Sequence, residues 1–257
     1  MLLAVDIGNT LIALGVIDHG KVIVSEQLAS KAFRTPLEYA IDIKITLDIH
    51  GIKVSDLSGG IISSVFPAMT GVLRAAVEKL LPSPPLIVGP GIKTGLNIKI
   101  DNPSQLGSDL VVGAVAAIAA YEPPMILIEL GTATTFSVIN RQSAYIGGVL
   151  CPGVQVALNS LSAAAAQLPG ISFDAPANAI GRNTIDCMKS GAVYGNASMI
   201  DGMIDRIEEE LGESACIVAT GAYTNPIIAA CRHKIIVDET LTLRGLAIIH
   251  KKNTAAR

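Results

Sequence analysis

The chain has 257 residues, half of them hydrophobic and 16% charged, with a formal net charge of −3. Against a usual ~25% charged, this excludes intrinsic disorder and allows a sizeable core in one large or two smaller domains. A nucleic-acid partner is not expected, because the one basic block is Lys251-Lys252, and no apolar run approaches the ~18–20 residues of a membrane span.

The opening residues lack a basic leader, carry a carboxylate at Asp6 and read as a strand rather than a signal peptide. A cytoplasmic protein is expected, with Cys151, Cys187, Cys216 and Cys231 as reduced thiols and no metal-ligand spacing among its histidines.

Residues 2–6, 12–17 and 22–24 are apolar runs separated by Gly8-Asn9-Thr10 and Asp18-His19-Gly20, which predicts an antiparallel meander. Thr35-Pro36-Leu37-Glu38 is a capping box with proline in the first turn. The next stretch carries two periods at once. Ile41, Ile43, Ile45, Leu47 and Ile49 alternate as in a strand, while Leu37, Ile41 and Ile45 recur at four-residue spacing. The start signal decides for a helix. Residues 60–65 predict a strand, 68–81 a helix stopped by prolines, and 86–88 a short strand. An alanine-rich helix follows Pro103 and runs to about residue 120, where Pro123-Pro124 mark a domain boundary.

The second half repeats the first. Strands at 125–130, 135–139 and 144–150 follow the opening meander at a constant offset of 123 residues, which sets Asp6-Ile7-Gly8 on Glu129-Leu130-Gly131. Residues 180–211 read as mostly helical, 216–220 as a strand, and Pro226 starts a helix. The expected architecture is two α/β domains of like topology, residues 1–121 and 122–257, facing each other across a cleft.

A strand that ends in a carboxylate and runs into a glycine turn suits phosphate chemistry. Glycine allows close backbone approach, turn N–H groups form an anion site, and the carboxylate holds a hydrated cation. One copy would be an ordinary strand end; two copies at equivalent positions favour a polyphosphate site. No P-loop pattern exists, and Gly89-Pro90-Gly91-Ile92-Lys93-Thr94-Gly95 lacks dinucleotide-loop spacing. Gly221, in Ala219-Thr220-Gly221-Ala222, could stack an adenine ring on bare backbone, although a plain strand-to-helix turn explains it equally well.

Further segments are Ser63-Ser64-Val65-Phe66-Pro67, Asp101-Asn102-Pro103, Gly107-Ser108-Asp109, Gly131-Thr132-Ala133-Thr134-Thr135, Gly147-Gly148, Pro152-Gly153 and Gly181-Arg182-Asn183-Thr184. With the loop at Gly89 and the turn after Asp6, they run in order over most of the chain. In these the chain resembles type III pantothenate kinases, of the acetate and sugar kinase, Hsp70 and actin superfamily. The resemblance implies two duplicated actin-like, ribonuclease H-like α/β domains facing a nucleotide cleft. It implies ATP-dependent phosphorylation of pantothenate to 4'-phosphopantothenate, the first step of coenzyme A biosynthesis, by a homodimer that uses Mg2+ and K+ or NH4+. Asp6, Ile7, Gly8, Asn9, Thr10, Leu11, Ile12, Ala13, Gly131 and Thr132 would bind ATP, with Asp6 holding Mg2+ through water. Glu129 would hold the monovalent cation and Asp109 would be the general base; Ile100, Gly107, Ser108, Leu110 and Thr184 would line the pantothenate site, Thr184 across the dimer interface. From the residues alone, Asp109 reads equally as a helix N-terminal acid. The apolar helix 111–120 is the expected dimer face.

Three positions depart from the resembled pattern. Glu129 replaces Asp, Leu110 replaces Arg, and Ile100 replaces Tyr. Leucine removes a guanidinium fork and isoleucine removes a hydroxyl and a ring, so a modified substrate pocket is expected. The alternatives are a kinase for another small alcohol, or a non-catalytic nucleotide-binding regulatory protein.

Overall fold

Two mixed sheets carry the chain, one in each of two compact units. The computed structural model describes residues 1–31, 33–165 and 167–255. Unit 1 gathers Met1–Leu96, Asp101–Ala120 and Thr240–Arg257; unit 2 gathers Asn97–Ile100 and Tyr121–Glu239.

In unit 1, β1 (Leu2–Ile7), β2 (Leu11–Asp18) and β3 (Lys21–Ala29) form the antiparallel meander. β4 (Gly59–Ser64) adds in parallel to β1, and β5 (Leu86–Ile87) adds to β4. Leu3, Ala4, Val5 and Ile7 are all fully buried, as a strand covered on both faces requires. On one face Leu3, Val5 and Ile7 pack with Tyr39, Ile43 and Leu47 of α1 (Pro36–Ile49) and with Met69 and Leu73 of α2 (Pro67–Glu78). On the other, Ala4 and Ile61 pack with Val112 and Val115 of α3 (Ser108–Ala120) and with Leu243, Leu246 and Ile249 of the C-terminal helix Leu241–Thr254.

The period conflict in α1 resolves as the start signal indicates. Glu38 N–H donates to Thr35 Oγ1 at 3.4 Å, and Thr35 N–H donates to Glu38 Oε2 at 2.7 Å. Tyr39, Ile43 and Leu47 face the core, while Leu37, Ile41, Ile45 and Ile49 form an exposed stripe. Apolar residues on both faces of the helix create the apparent strand alternation.

The expected dimer face is corrected by the packing. Val111, Val112, Ala114, Val115, Ala116 and Ala117 are buried, and Val112 and Val115 pack in the core of unit 1. A Cβ at Gly245 would collide with the Val112 carbonyl, so α3 and the C-terminal helix cross at close range. The apolar side of residues 111–120 is core, not free surface.

Unit 2 repeats the topology. β6 (Asn97–Ile98) adds to the edge of a sheet whose order is β11-β10-β7-β8-β9-β6. Its strands are β7 (Met125–Leu130), β8 (Ala133–Ile139), β9 (Ala144–Pro152), β10 (Cys216–Thr220) and β11 (Ile236–Val237). β7, β8 and β9 are antiparallel; β10 pairs parallel to β7 and β11 to β10. Apart from β6 this is the order of unit 1, and β1 and β3 map residue for residue onto β7 and β9 at the 123-residue offset. Ile126, Ile128, Leu130 and Phe136 form the core with Ile200, Ile204 and Ile217. Its helices are α4 (Val154–Ala164), α5 (Thr184–Ser190), α6 (Asn196–Leu211) and α7 (Thr224–Ala230), with a π-helical turn, Gly191–Gly195, between α5 and α6.

Several elements lie outside the sequence reading: α4, β6, β11 and the C-terminal helix. That helix belongs to unit 1, whereas a single division after residue 121 would assign it to the second half. The described helices include none long and apolar enough to cross a membrane.

Candidate active site

The turn after β1 is tied at both ends. Gly8 N–H donates to the Leu11 carbonyl at 2.9 Å, Ser30 Oγ donates to the Gly8 carbonyl at 2.8 Å, and Ser30 N–H donates to the Thr10 carbonyl at 2.9 Å. Asn9 and Thr10 are exposed, whereas Gly8, Leu11 and Ala13 are half-buried. The Ile7 and Ile12 side chains are fully buried in the core, so only their backbone can meet a ligand.

Asp6 lies opposite Ala13 of β2 and Ser63 of β4. Its carboxyl group is hydrogen-bonded to Ser63, but Oδ1 is buried with no hydrogen-bond partner among the described residues. Burial first, and then the charge of Asp109, push its pKa up to about 7. A carboxylate with an orphaned oxygen beside a second carboxylate is chemistry that fits a hydrated divalent cation.

Asp109 is the second residue of α3. Burial raises its carboxyl pKa, while backbone N–H groups of Leu110 and of Asp109 itself work against that rise. Leu110 N–H donates to Asp109 Oδ1 at 2.8 Å. A Cβ at Gly107 would collide with this oxygen, so glycine is what lets the carboxylate fold back over the chain. Ser108 Oγ accepts from Ser64 N–H at 3.1 Å and lies 2.9 Å from Ser63 Oγ. The turn after Asp6 and the segment Gly107-Ser108-Asp109-Leu110 thus belong to one site in unit 1.

Unit 2 carries the counterpart. Glu129 lies opposite Thr135 of β8 and Thr220 of β10, as Asp6 lies between Ala13 and Ser63. Gly131 N–H donates to the Ala133 carbonyl at 3.0 Å, and Gly153 N–H donates to the Thr132 carbonyl at 3.1 Å. Thr132 is exposed. Glu129 Oε1 lies 3.9 Å from where a Gly131 Cβ would stand, and Thr135 Oγ1 is buried without a hydrogen-bond partner among the described residues. One carboxylate and neutral oxygens suit a monovalent cation better than a tightly held divalent one. Among the described residues, no three His, Cys, Asp or Glu side chains gather as a metal cluster.

Gly221 has φ +109°, and a Cβ there would lie 2.5 Å from the Leu130 carbonyl oxygen. The close approach of Leu130 on the Cβ side explains why the position takes glycine and is compatible with the strand-to-helix turn and with an adenine face alike. Ile100 is half-buried just past β6, where Lys99 N–H donates to the Tyr145 carbonyl at 2.8 Å. Thr184 opens α5 and is exposed, with Asn183 capping that helix by accepting Asp186 N–H at 2.9 Å. Sequence reasoning passed over three contributors. Ser30 braces the Gly8 turn, Ser63 faces Asp6, and Gly153 supports the Thr132 turn. Only strand register reveals the first two. Gly153, quoted in a motif, has no local signal for its contact.

A sequence profile of type III pantothenate kinases matches residues 2–206. The type III pantothenate kinase of Bacillus cytotoxicus is 38% identical over 253 residues, covering 98% of this chain and 97% of its own. That of Halalkalibacterium halodurans is 40% identical, covering 98% and 100%. The chain belongs to the type III pantothenate kinase family. For a type III pantothenate kinase the actin-like fold is also seen in distant structures. Component A of (R)-2-hydroxyglutaryl-CoA dehydratase from Acidaminococcus fermentans is 14% identical with a TM-score of 0.57, covering 100% of this chain and 99% of its own. The activator of 2-hydroxyisocaproyl-CoA dehydratase from Clostridium difficile, solved with bound ADPNP, is 10% identical with a TM-score of 0.55, covering 99% and 96%. The carboxylate-and-glycine turns of this type III pantothenate kinase occupy equivalent positions in its two sheets.

Proposed function

We propose that the chain phosphorylates pantothenate with ATP, yielding 4'-phosphopantothenate and ADP, with Asp109 as general base and a modified substrate pocket. The observation that carries the roles is the pairing in unit 1 of Asp6, with its orphaned Oδ1, and Asp109 on α3. Asp109 accepts the proton of the pantothenate hydroxyl as that oxygen bonds to the γ-phosphorus and the bond to the ADP oxygen breaks. The backbone of residues 6–13 and the Gly131-Thr132 turn would hold the ATP phosphates. Asp6 would hold Mg2+ through water, and Glu129 would hold K+ or NH4+; bound there, such ions neutralise phosphate charge. Ile100, Gly107, Ser108, Leu110 and Thr184 would line the pantothenate pocket, Thr184 from a second copy in a cytoplasmic homodimer.

A coupled ADP-release assay with pantothenate, with and without K+ or NH4+, tests this reading. Turnover that depends on pantothenate and is abolished by Asp109→Asn is expected, because an amide accepts no hydroxyl proton. ATP binding without turnover on pantothenate would return the choice to another alcohol substrate or to a regulatory role.

A further inference from the structure

Ser63 is a fully buried hydroxyl near the end of the apolar strand β4, directly opposite Asp6 in the parallel register. Its Oγ lies 2.9 Å from Ser108 Oγ and is also hydrogen-bonded to the Asp6 carboxyl group. Ser108 is the first residue of α3, and its hydroxyl meets Ser64 twice: it accepts Ser64 N–H at 3.1 Å and donates to the Ser64 carbonyl at 2.9 Å. Ser64 is itself locked. Its Oγ donates to the Phe66 carbonyl at 3.2 Å, accepts Phe66 N–H at 3.1 Å and accepts the Thr70 hydroxyl at 2.8 Å.

These hydroxyls replace what would otherwise be apolar packing between β4 and α3, and a hydroxyl is tolerated there only because each has partners. Their common effect is to pin the first residue of α3 to the end of the strand beside β1. Asp109 is one peptide further on, and backbone N–H groups at the start of α3 hold its carboxylate. Where the start of α3 sits on β4 therefore decides where the Asp109 carboxylate stands relative to Asp6. In reactions of oriented groups a misplacement of ~1 Å is enough to lower the rate severely.

We infer that Ser63 is a positioning residue for phosphoryl transfer, acting through Ser108 to set the Asp109 carboxylate against the Asp6 site. The inference rests on the assignment of Asp109 as base. Neither serine has to touch a reacting atom, so the shared part of their effect belongs to kcat; Ser63 also meets the Asp6 carboxyl group and Ser108 is placed in the pantothenate pocket, so each has a binding effect of its own besides.

The test compares Ser63→Ala, Ser108→Ala, the double variant, Ser108→Thr and Asp109→Asn. Each is measured for kcat, for KM toward ATP and pantothenate, and for thermal unfolding. Each alanine is expected to lower kcat roughly five- to tenfold, the scale of one lost hydrogen bond, with KM for pantothenate within about twofold in Ser63→Ala and KM for ATP within about twofold in Ser108→Ala. The double variant should lose clearly less kcat than the product of the single losses, because both changes sever the Ser63–Ser108 bridge while only Ser63→Ala also removes the contact to Asp6. Ser108→Thr keeps the hydroxyl and should restore kcat to within about twofold. Unchanged kcat in Ser108→Ala, a double loss equal to the product of the single losses, or losses carried by KM alone would overturn the inference. If Ser63→Ala does not fold, the pair Ser108→Ala and Ser108→Thr decides alone. Asp109→Asn retaining parental kcat would instead remove the base assignment itself; inactivity of Asp109→Asn beside serine variants of parental kcat overturns only the positioning role.

Discussion

Burial and the Asp109 charge raise the Asp6 pKa from 3.8 to about 7 in the folded, ligand-free chain. Below about pH 4 both folded and unfolded states carry the proton, so Asp6 contributes no difference. Between about pH 4 and pH 7 the unfolded chain ionises first, and the folded state loses stability; above about pH 7 that loss is complete. The ligand-free protein should therefore melt at lower temperature at pH 8 than at pH 5. Asp6→Asn should flatten this dependence and stabilise the chain at pH 8 by roughly 1–3 kcal/mol, while weakening binding of Mg·ATP. Thermal unfolding at the two pH values, with and without Mg·ATP, checks both parts. Leu110 and Ile100 act on the other substrate. Leu110→Arg with Ile100→Tyr should raise kcat/KM for pantothenate about ten- to a hundredfold and leave KM for ATP nearly unchanged, since one charged hydrogen-bonded contact contributes ~1.5–3 kcal/mol. Steady-state kinetics with each substrate varied in turn reads this directly, and an unchanged or lower kcat/KM would show that other residues already compensate.

At the scale of elements, the Gly131-Thr132 turn depends on the start of α4. A Cβ at Gly153 would collide with the carbonyl oxygens of both turn residues, and backbone cannot move aside as a flexible side-chain end can. Gly153→Ala is expected to raise KM for ATP at least tenfold, with kcat for pantothenate less affected. Thr35→Ala, in the capping box of α1, should cost about 1 kcal/mol of stability and change KM for ATP far less than Gly153→Ala does. Chemical denaturation beside kinetics separates the two variants. These elements also show what the sequence makes legible. The duplicated meander was readable because strand, carboxylate and glycine turn recur at one offset, and α1 because its start carries a capping box. The C-terminal helix was not: its apolar Leu243, Leu246 and Ile249 give no hint that their partners are Ala4 and Ile61, far away in sequence. Asp6 and Asp109 were readable through motif resemblance, but the serine bridge from β4 to α3 brings their elements together only once β4 pairs with β1. α4 is followed by small and polar residues that obscure its amphipathic face, and the helix read over 111–120 as a contact between copies proved to be core. In each of these cases the deciding partner is distant in the chain.

For the molecule as a whole, unit 1 is assembled from three chain segments and unit 2 from two. The C-terminal helix closes one face of the first sheet with Leu243, Leu246 and Ile249, and Leu246 is fully buried. Leu246→Ala should therefore cost about 2–5 kcal/mol, measurable as a shift in denaturation midpoint without a change in KM. The same arrangement sets an order of maturation during synthesis. Nearly all of unit 2 lies within Tyr121–Glu239 and has emerged before the closing helix is made. The strands of unit 1 are translated first, yet Ala4, Ile61 and Val112 stay uncovered on one side until the segment beginning at Thr240 leaves the ribosome. A nascent chain stalled or cut short just before that point would present an open apolar sheet face to chaperones and to its neighbours, so premature termination near the end of this gene should yield insoluble protein rather than a slightly shortened enzyme.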